Sequence, residues 1–267
     1  MDSLNEPYLV TEDHVKRFQK NGYIKLKEVL SPKIIREYGS AITDMVRKLN
    51  TQNLDLNERS TYGKAFLQIG NIWTKSKQVA ELVLSQRLGR IAAELLKVEG
   101  VRLYHDQALF KEPGGGFTPW HADQHYWPLS NPNSVTAWIP LQAIPINMGP
   151  LSFCIGSHHL LTNRDMEISD ESEIAIGRSL RDYEKDEGEF DLGEVSFHRG
   201  WTFHRAGPNN TNQMRGVMTI IYFEDGMRLA QPVREAQHND WAKYLPGAEV
   251  GKPIDTPLNP VIYSHRT

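Results

Sequence analysis

Two hydrophobic periods divide this chain. From Thr11 to Val98 the apolar positions mostly recur at helical spacing. Thr11-Glu12-Asp13 reads as a helix start with acids in its first turn, and Gly22 as its stop. Tyr23 to Leu30 alternates as a strand. Ser31 then caps a helix with Pro32 at its first position. In that helix Ile34, Ile35, Tyr38, Ile42, Met45, Val46 and Leu49 fall on one buried face. Residues 50–64 are polar and read as a loop. Phe66 to Ile72 reads as a strand with Trp73 in the turn after it, and Ser85 opens a helix that runs to Val98 and ends at Gly100.

From Val101 the period changes to two. Strands are predicted at 101–110, in the stretch 117–128, and at 134–144, 151–155, 193–197, 201–206 and 214–223, with turn signals between them. Many strands in series predict an antiparallel barrel or jelly roll with the early helices beside it, a mainly β fold with flanking α-helices. The reading is one domain over 1–267: helical support at about 11–100, a barrel at about 101–225 and a Pro-rich tail from 228 that wraps it. Residues 163–191 interrupt the strands with eleven Asp/Glu against four Lys/Arg. That composition reads as a solvated insertion, or as a mobile lid over the barrel mouth.

Composition narrows the classes. A net charge of −3 and a pI near 6.4 give no argument for nucleic acid or a membrane surface. The single cysteine, Cys154, excludes an intrachain disulfide and fits a reducing compartment. No signal peptide, membrane span or peroxisomal address is visible, so the expectation is a cytoplasmic protein. The Gly114-Gly115-Gly116 run lacks the Gly-Lys-Ser/Thr ending of a phosphate loop.

The chemistry concentrates in Phe117-Thr-Pro-Trp-His-Ala-Asp-Gln-His-Tyr-Trp-Pro128. His121 and Asp123 are two apart, which on extended chain points both to one face. They supply two members of a 2-His-1-carboxylate set, an arrangement that suits Fe(II) and leaves positions open for a cosubstrate and O₂. His121 and His125 are four apart, the spacing of a helical zinc pair. Pro119 and Pro128 oppose a helix, and Ala122 stands where zinc hydrolysis needs Glu. A second His-x-Asp, His238-Asn-Asp240, lies in a polar helix-like segment with little chain after it and is read as structural. His198 and His204 compete for the third ligand, and the remaining histidines, His105 among them, read as polar strand or loop residues. Arg215 opens an apolar strand. If residues 201–223 fold as a hairpin about 210–211, Arg215 lies nearly opposite Ala206, where its guanidinium can hold a carboxylate in a two-pronged grip.

Taken together, Phe-Lys-Glu-Pro-Gly (110–114), Trp-His-x-Asp (120–123), Thr-Ala-Trp-Ile-Pro-Leu (136–141), Gly-Pro-Leu (149–151), Gly-Ser-His (156–158) and Ala-Gly-Pro-Asn (206–209) resemble the phytanoyl-CoA dioxygenase family of Fe(II)/2-oxoglutarate oxygenases. The resemblance implies a double-stranded β-helix, a cupin-like barrel. It selects His204, immediately before Ala-Gly-Pro-Asn, as the third iron ligand with His121 and Asp123. It implies 2-oxoglutarate as cosubstrate with its far carboxylate on Arg215, O₂ as oxidant, and ascorbate in assays. Thr136 is expected on the same carboxylate and Gln107 at the cosubstrate's other end, with Tyr126, Trp127 and Trp73 as candidate substrate-lining residues. The expected partner is a small molecule, with neither nucleic acid nor membrane. Hydroxylation is the default outcome; desaturation, epimerisation and ring closure use the same site. The alternatives are a non-catalytic metal-binding barrel and a cupin-like enzyme that uses no 2-oxoglutarate.

Overall fold

The computed structural model of the chain describes residues 4–266. In chain order the elements are α1 (Glu12–Asn21), β1 (Tyr23–Leu26), α2 (Pro32–Leu49), α3 (Thr61–Ala65), β2 (Leu67–Gly70), α4 (Lys77–Val83), α5 (Gln86–Leu96), β3 (Gly100–Lys111), β4 (Thr118–His121) and β5 (Ser134–Pro140). Then follow β6 (Leu151–Cys154), α6 (Asp170–Ser179), β7 (Lys185–Asp186), β8 (Val195–Arg199), β9 (His204–Ala206), β10 (Arg215–Glu224), α7 (Glu235–Tyr244) and β11 (Val261–Ser264).

Local chemistry sets the early boundaries. Thr11 accepts the His14 N–H in a capping box, and Gly22 closes α1 in the left-handed region at φ 81°. Ser31 caps α2 through the Ile34 N–H, with Pro32 in its first turn. The predicted loop at 50–64 is in part helical: Ser60 caps α3 through the Gly63 N–H. The short helix α4, capped by Ser76, escaped the sequence pattern.

The strands form two antiparallel sheets in a jelly-roll arrangement. The larger runs β1-β8-β5-β10-β3-β11, with β2 also on β3; the smaller runs β4-β9-β6-β7. The apolar faces of α2 and α5 cover the outer side of the larger sheet: Ile35, Ile42, Leu88 and Ile91 join Val101, Ala137, Phe197 and Ile220 in the main core. On the inner side, Trp138 and Val217 of the larger sheet meet Leu151 and Phe153 of the smaller. The functional residues lie between the sheets.

Two expectations need correction. First, β9 and β10 are not a hairpin. β9 pairs with β4 and β6, whereas β10 pairs with β3 and β5, so residues 207–214 cross from one sheet to the other. Second, 163–191 is not an open solvated insertion. Ser169 caps α6 in a capping box, and β7 pairs with β6. Ile176, Leu180 and Phe190 are buried, the first two against Trp120 and Phe203. Among the described residues no helix is long and apolar enough to cross a membrane.

Candidate metal centre and cavity

β4 ends at His121. Ala122 stays extended (φ −124°, ψ 126°), and Asp123 opens a 3-10 turn through His125. The alternation therefore persists for one residue beyond the strand. That is enough to put His121 and Asp123 on one face, although the chain curls immediately afterwards. Across the smaller sheet His204 is the register partner of His121, and their rings lie 4.2 Å apart. One ligand atom from each of His121, Asp123 and His204 falls within 4.8 Å of the others. Asp123 Oδ1 is 3.6 Å from His121 Nε2 and 3.5 Å from His204 Nε2.

The hydrogen bonds select which atoms face inward. Nδ1 of His121 donates to the Pro119 carbonyl at 2.7 Å and Nδ1 of His204 to the Thr202 carbonyl at 2.9 Å, which leaves both Nε2 lone pairs free. Burial pushes both imidazoles down to about 4, so they are neutral near pH 7. Burial also opposes ionisation of Asp123, but His204, His198 and His121 outweigh it and hold the carboxyl well below the usual range. Two neutral imidazoles and a carboxylate fit the donor set of a divalent first-row metal such as Fe(II).

Asp123 Oδ2 turns away from this point. It accepts the Thr136 hydroxyl at 2.9 Å and lies 3.2 Å from His198 Nε2. Thr136 is thus bonded to the candidate ligand rather than placed on a cosubstrate carboxylate, which corrects that expectation. His198, the competing third ligand, stands behind Asp123 and outside the converging group. His125 is also outside it; its Nδ1 bonds the Arg164 carbonyl, so the helical zinc pair does not form.

Arg215 is 1% exposed and opens β10. Its register partner is Lys111 rather than anything on β9. One guanidinium nitrogen donates to the Gly149 carbonyl at 2.6 Å, Nε has no partner, and the group lies 5.6 Å from the Trp138 ring centroid. Burial lowers its pKa to about 9, so it remains a cation near neutrality. Gly149 must be glycine: φ is +73°, and a Cβ there would stand 2.2 Å from the Gly207 carbonyl. Through this contact the Gly-Pro-Leu and Ala-Gly-Pro-Asn phrases meet beside Arg215.

The triad and Arg215 line one cavity of about 640 Å³. Gln107, Tyr126 and Trp127 also line it; Gln107 accepts from Gln68 Nε2 at 2.9 Å, and the Tyr126 hydroxyl accepts the Ile168 N–H at 2.9 Å. Trp73 does not line it. Its side chain packs on the main core and its backbone N–H donates to Asp106 Oδ2, which corrects its assignment as a substrate residue. The sequence reading missed Tyr62, Gln68, His105, Asp240 and Tyr244, all on the cavity wall. For α7 a signal existed: 236, 239, 240, 243 and 244 share one helical face.

Residues 18–217 match the family Phytanoyl-CoA dioxygenase (PhyH). A curated relative, a probable alpha-ketoglutarate-dependent hypophosphite dioxygenase of Stutzerimonas stutzeri, is 29% identical over 151 residues, which is 54% of this chain and 52% of the relative. The match thus spans about half the relative's length. Among solved structures, the non-heme alpha ketoglutarate dependent carbocyclase SnoK from nogalamycin biosynthesis superposes with a TM-score of 0.79 at 22% identity, covering 97% of this chain and all of SnoK. The epimerase SnoN, in complex with Fe3+, alpha ketoglutarate and nogalamycin RO, gives 0.79 at 20% identity over 94% of this chain and 98% of SnoN. At these identities the two likenesses establish the fold.

Proposed function

This chain belongs to the phytanoyl-CoA dioxygenase family, and from that premise we propose that it is an Fe(II)/2-oxoglutarate-dependent dioxygenase acting on a free organic small molecule, with hydroxylation of a C–H bond as the outcome. The observation that carries the reading is the convergence of His121, Asp123 and His204 in a cavity that also contains the buried cation of Arg215. That cation is the feature that favours this reading over a cupin-like barrel without 2-oxoglutarate.

In this reading His121 Nε2, His204 Nε2 and Asp123 Oδ1 hold Fe(II), and Arg215 pairs with the far carboxylate of 2-oxoglutarate. Iron, 2-oxoglutarate and O₂ together supply an oxidant for unactivated C–H bonds, with succinate and CO₂ released. The chain's own residues set geometry. Thr136 and His198 fix the carboxylate plane of Asp123 so that Oδ1 faces the two imidazoles. Gln107, Tyr126 and Trp127 line the same cavity; in this reading Gln107 would border the cosubstrate, and the two aromatics would exclude water around the substrate. Retention of the Asp123 carboxylate argues against halogenation, which needs that ligand position free for chloride.

Substrate size and charge give further support. A cavity of about 640 Å³ with an aromatic wall exceeds what hypophosphite requires. The acidic run at 163–191 disfavours the phosphates of a CoA ester. The test is succinate formation by the purified chain with Fe(II), ascorbate and 2-oxoglutarate, coupled to mass spectrometry of candidate organic substrates. A product heavier by one oxygen is expected. Substrate oxidation without any succinate would overturn the reading.

A further inference from the structure

The triad and Arg215 all lie within 18–217, the span that matches the family. Part of the cavity wall does not. Ala236, Asn239, Asp240, Lys243 and Tyr244 line it from α7. Their spacing makes one continuous helical face. Three contacts fix that face in place. Gln237 Nε2 donates to the His125 carbonyl at 3.2 Å, just past the metal turn. The Tyr244 ring stacks on His105 with centroids 3.9 Å apart. Asn259 Nδ2 donates to the Tyr244 carbonyl at 3.3 Å. α7 is therefore a built part of the cavity wall, supplied by the part of the chain that the family match does not reach.

Asp240 is its central polar group. The fully buried Tyr104 donates its hydroxyl to Asp240 Oδ2, and among the described residues this carboxylate accepts no other hydrogen bond. Its remaining lone pairs are thus available to a ligand. Burial raises its pKa to about 7 against the opposing pull of Tyr104 and Lys243, so an unmatched negative charge is costly at this position. Lys243, three residues on, supplies a nearby cation, and Asn239 an amide. Tyr62, Phe66, Tyr126 and Trp127 add aromatic surface around them.

We propose that Asp240 determines substrate specificity by accepting a hydrogen bond from a hydroxyl of an uncharged, polyhydroxylated ring, as in a glycoside. This rests on reading the cavity as that of an oxygenase. A hydroxyl both donates and accepts, which matches a carboxylate flanked by an ammonium and an amide. Sugar rings and their apolar aglycones pack on aromatic faces. Above about pH 7, where Asp240 is ionised, an anionic substrate meets its repulsion. An amine meets that of Lys243, whose charge acts on the same carboxylate.

The experiment measures quenching of tryptophan fluorescence in the metal-free protein by phenyl β-D-glucoside, phenethylamine and benzoate at millimolar concentration. The glucoside should bind best to wild type. Asp240→Asn keeps the shape but removes the charge-assisted bond, and should weaken glucoside binding about tenfold. Lys243→Glu, at an exposed position, should shift preference toward phenethylamine, and it reads the same charge balance should Asp240→Asn fold poorly. Glucoside binding indifferent to Asp240, tightest binding of the amine or benzoate, or no quenching by the glucoside would each overturn the proposal. Succinate formation by wild type is scored separately. Asp240-dependent glucoside binding without any succinate removes the oxygenase reading and leaves the binding wall. Succinate without such binding does the reverse.

Discussion

Asp123 divides its two oxygens between two tasks. Oδ1 faces the imidazoles while Oδ2 is held by Thr136 and His198. Releasing Oδ2 should let the carboxylate rotate out of the metal-binding plane. Thr136→Val, nearly isosteric, is expected to weaken Fe(II) affinity ~10–100-fold with little change in melting temperature. Calorimetric titration with Fe(II) under anaerobic conditions reads this directly, and unchanged affinity would remove Thr136 from that role. Arg215 makes a different demand, since its guanidinium must meet a carboxylate bidentately. Arg215→Ala should raise the Michaelis constant for 2-oxoglutarate by roughly ten- to several-hundred-fold, Arg215→Lys should recover only part of it, and Fe(II) affinity should barely move. Lys111, the register partner of Arg215, has its own signature. Lys111 is fully buried, and burial together with the Arg215 charge lowers its pKa from 10.5 to about 6. Between those values the unfolded chain binds the extra proton, so this group's contribution to stability improves as pH rises. Lys111→Met should therefore be the more stable form near neutrality, with the gap to wild type narrowing from about pH 7 to about pH 9 in urea titrations. A gap that stays constant over this range would mean the lysine is charged in the fold.

Among the elements, periodicity located α1, α2, α5 and the long strands, because each carries a full apolar face. It could not say which sheet a strand joins. Alternation along 201–223 is the same whether the segment is a hairpin or a crossover, and only the crossover explains why Arg215 faces Lys111. Charge concealed α6. Its buried stripe is only Ile176 with Leu180 just beyond, set in a strongly acidic run, so composition outweighed pattern. The acids are partly structural: Glu173 accepts the Trp120 N–H at 2.8 Å and pairs with Arg205 at 2.8 Å, tying α6 to β4 and β9. α6 is thus expected to show slow amide exchange at Ile176 and Leu180 without any ligand, in contrast to a mobile lid. Glu173→Ala leaves a buried N–H unmatched, at a cost of ~1–3 kcal/mol, and should speed that exchange and lower Tm by a few degrees. Fast exchange at Ile176 in the wild type would restore the picture of a loose insertion.

At the scale of the molecule, the two ends of the chain complete the larger sheet, β1 on one edge and β11 on the other. Two of the metal-side residues were legible from short local spacing, and the third, His204, through the family resemblance. His121 and Asp123 are two apart on extended chain, and His204 precedes a recognisable turn. The shared helical face of α7 and a wrapping tail could be read from the sequence, but the place of Asp240 in the cavity could not, because it depends on where the tail folds back over β3. Asn259 is the residue that secures it. Fully buried, it donates through Nδ2 to the carbonyls of Leu103 and Tyr104 at 3.1 Å each and of Tyr244 at 3.3 Å, and its Oδ1 accepts the Thr256 hydroxyl at 2.6 Å. One amide thus joins β3, the end of α7 and the segment leading to β11. Asn259→Leu fills the same space without donors and leaves buried carbonyls short of partners, at a cost of ~1–3 kcal/mol. That loss should fall on the tail first, since the triad and Arg215 are held by β4, β9 and β10. Limited proteolysis of the variant should cut between α7 and β11 well before the strands. Fe(II) affinity should stay within a few-fold of wild type, while binding of a ligand to the α7 face is lost. If iron affinity instead collapses together with protease resistance, the metal centre and the α7 wall form one cooperative unit, and no division of labour between them can be drawn.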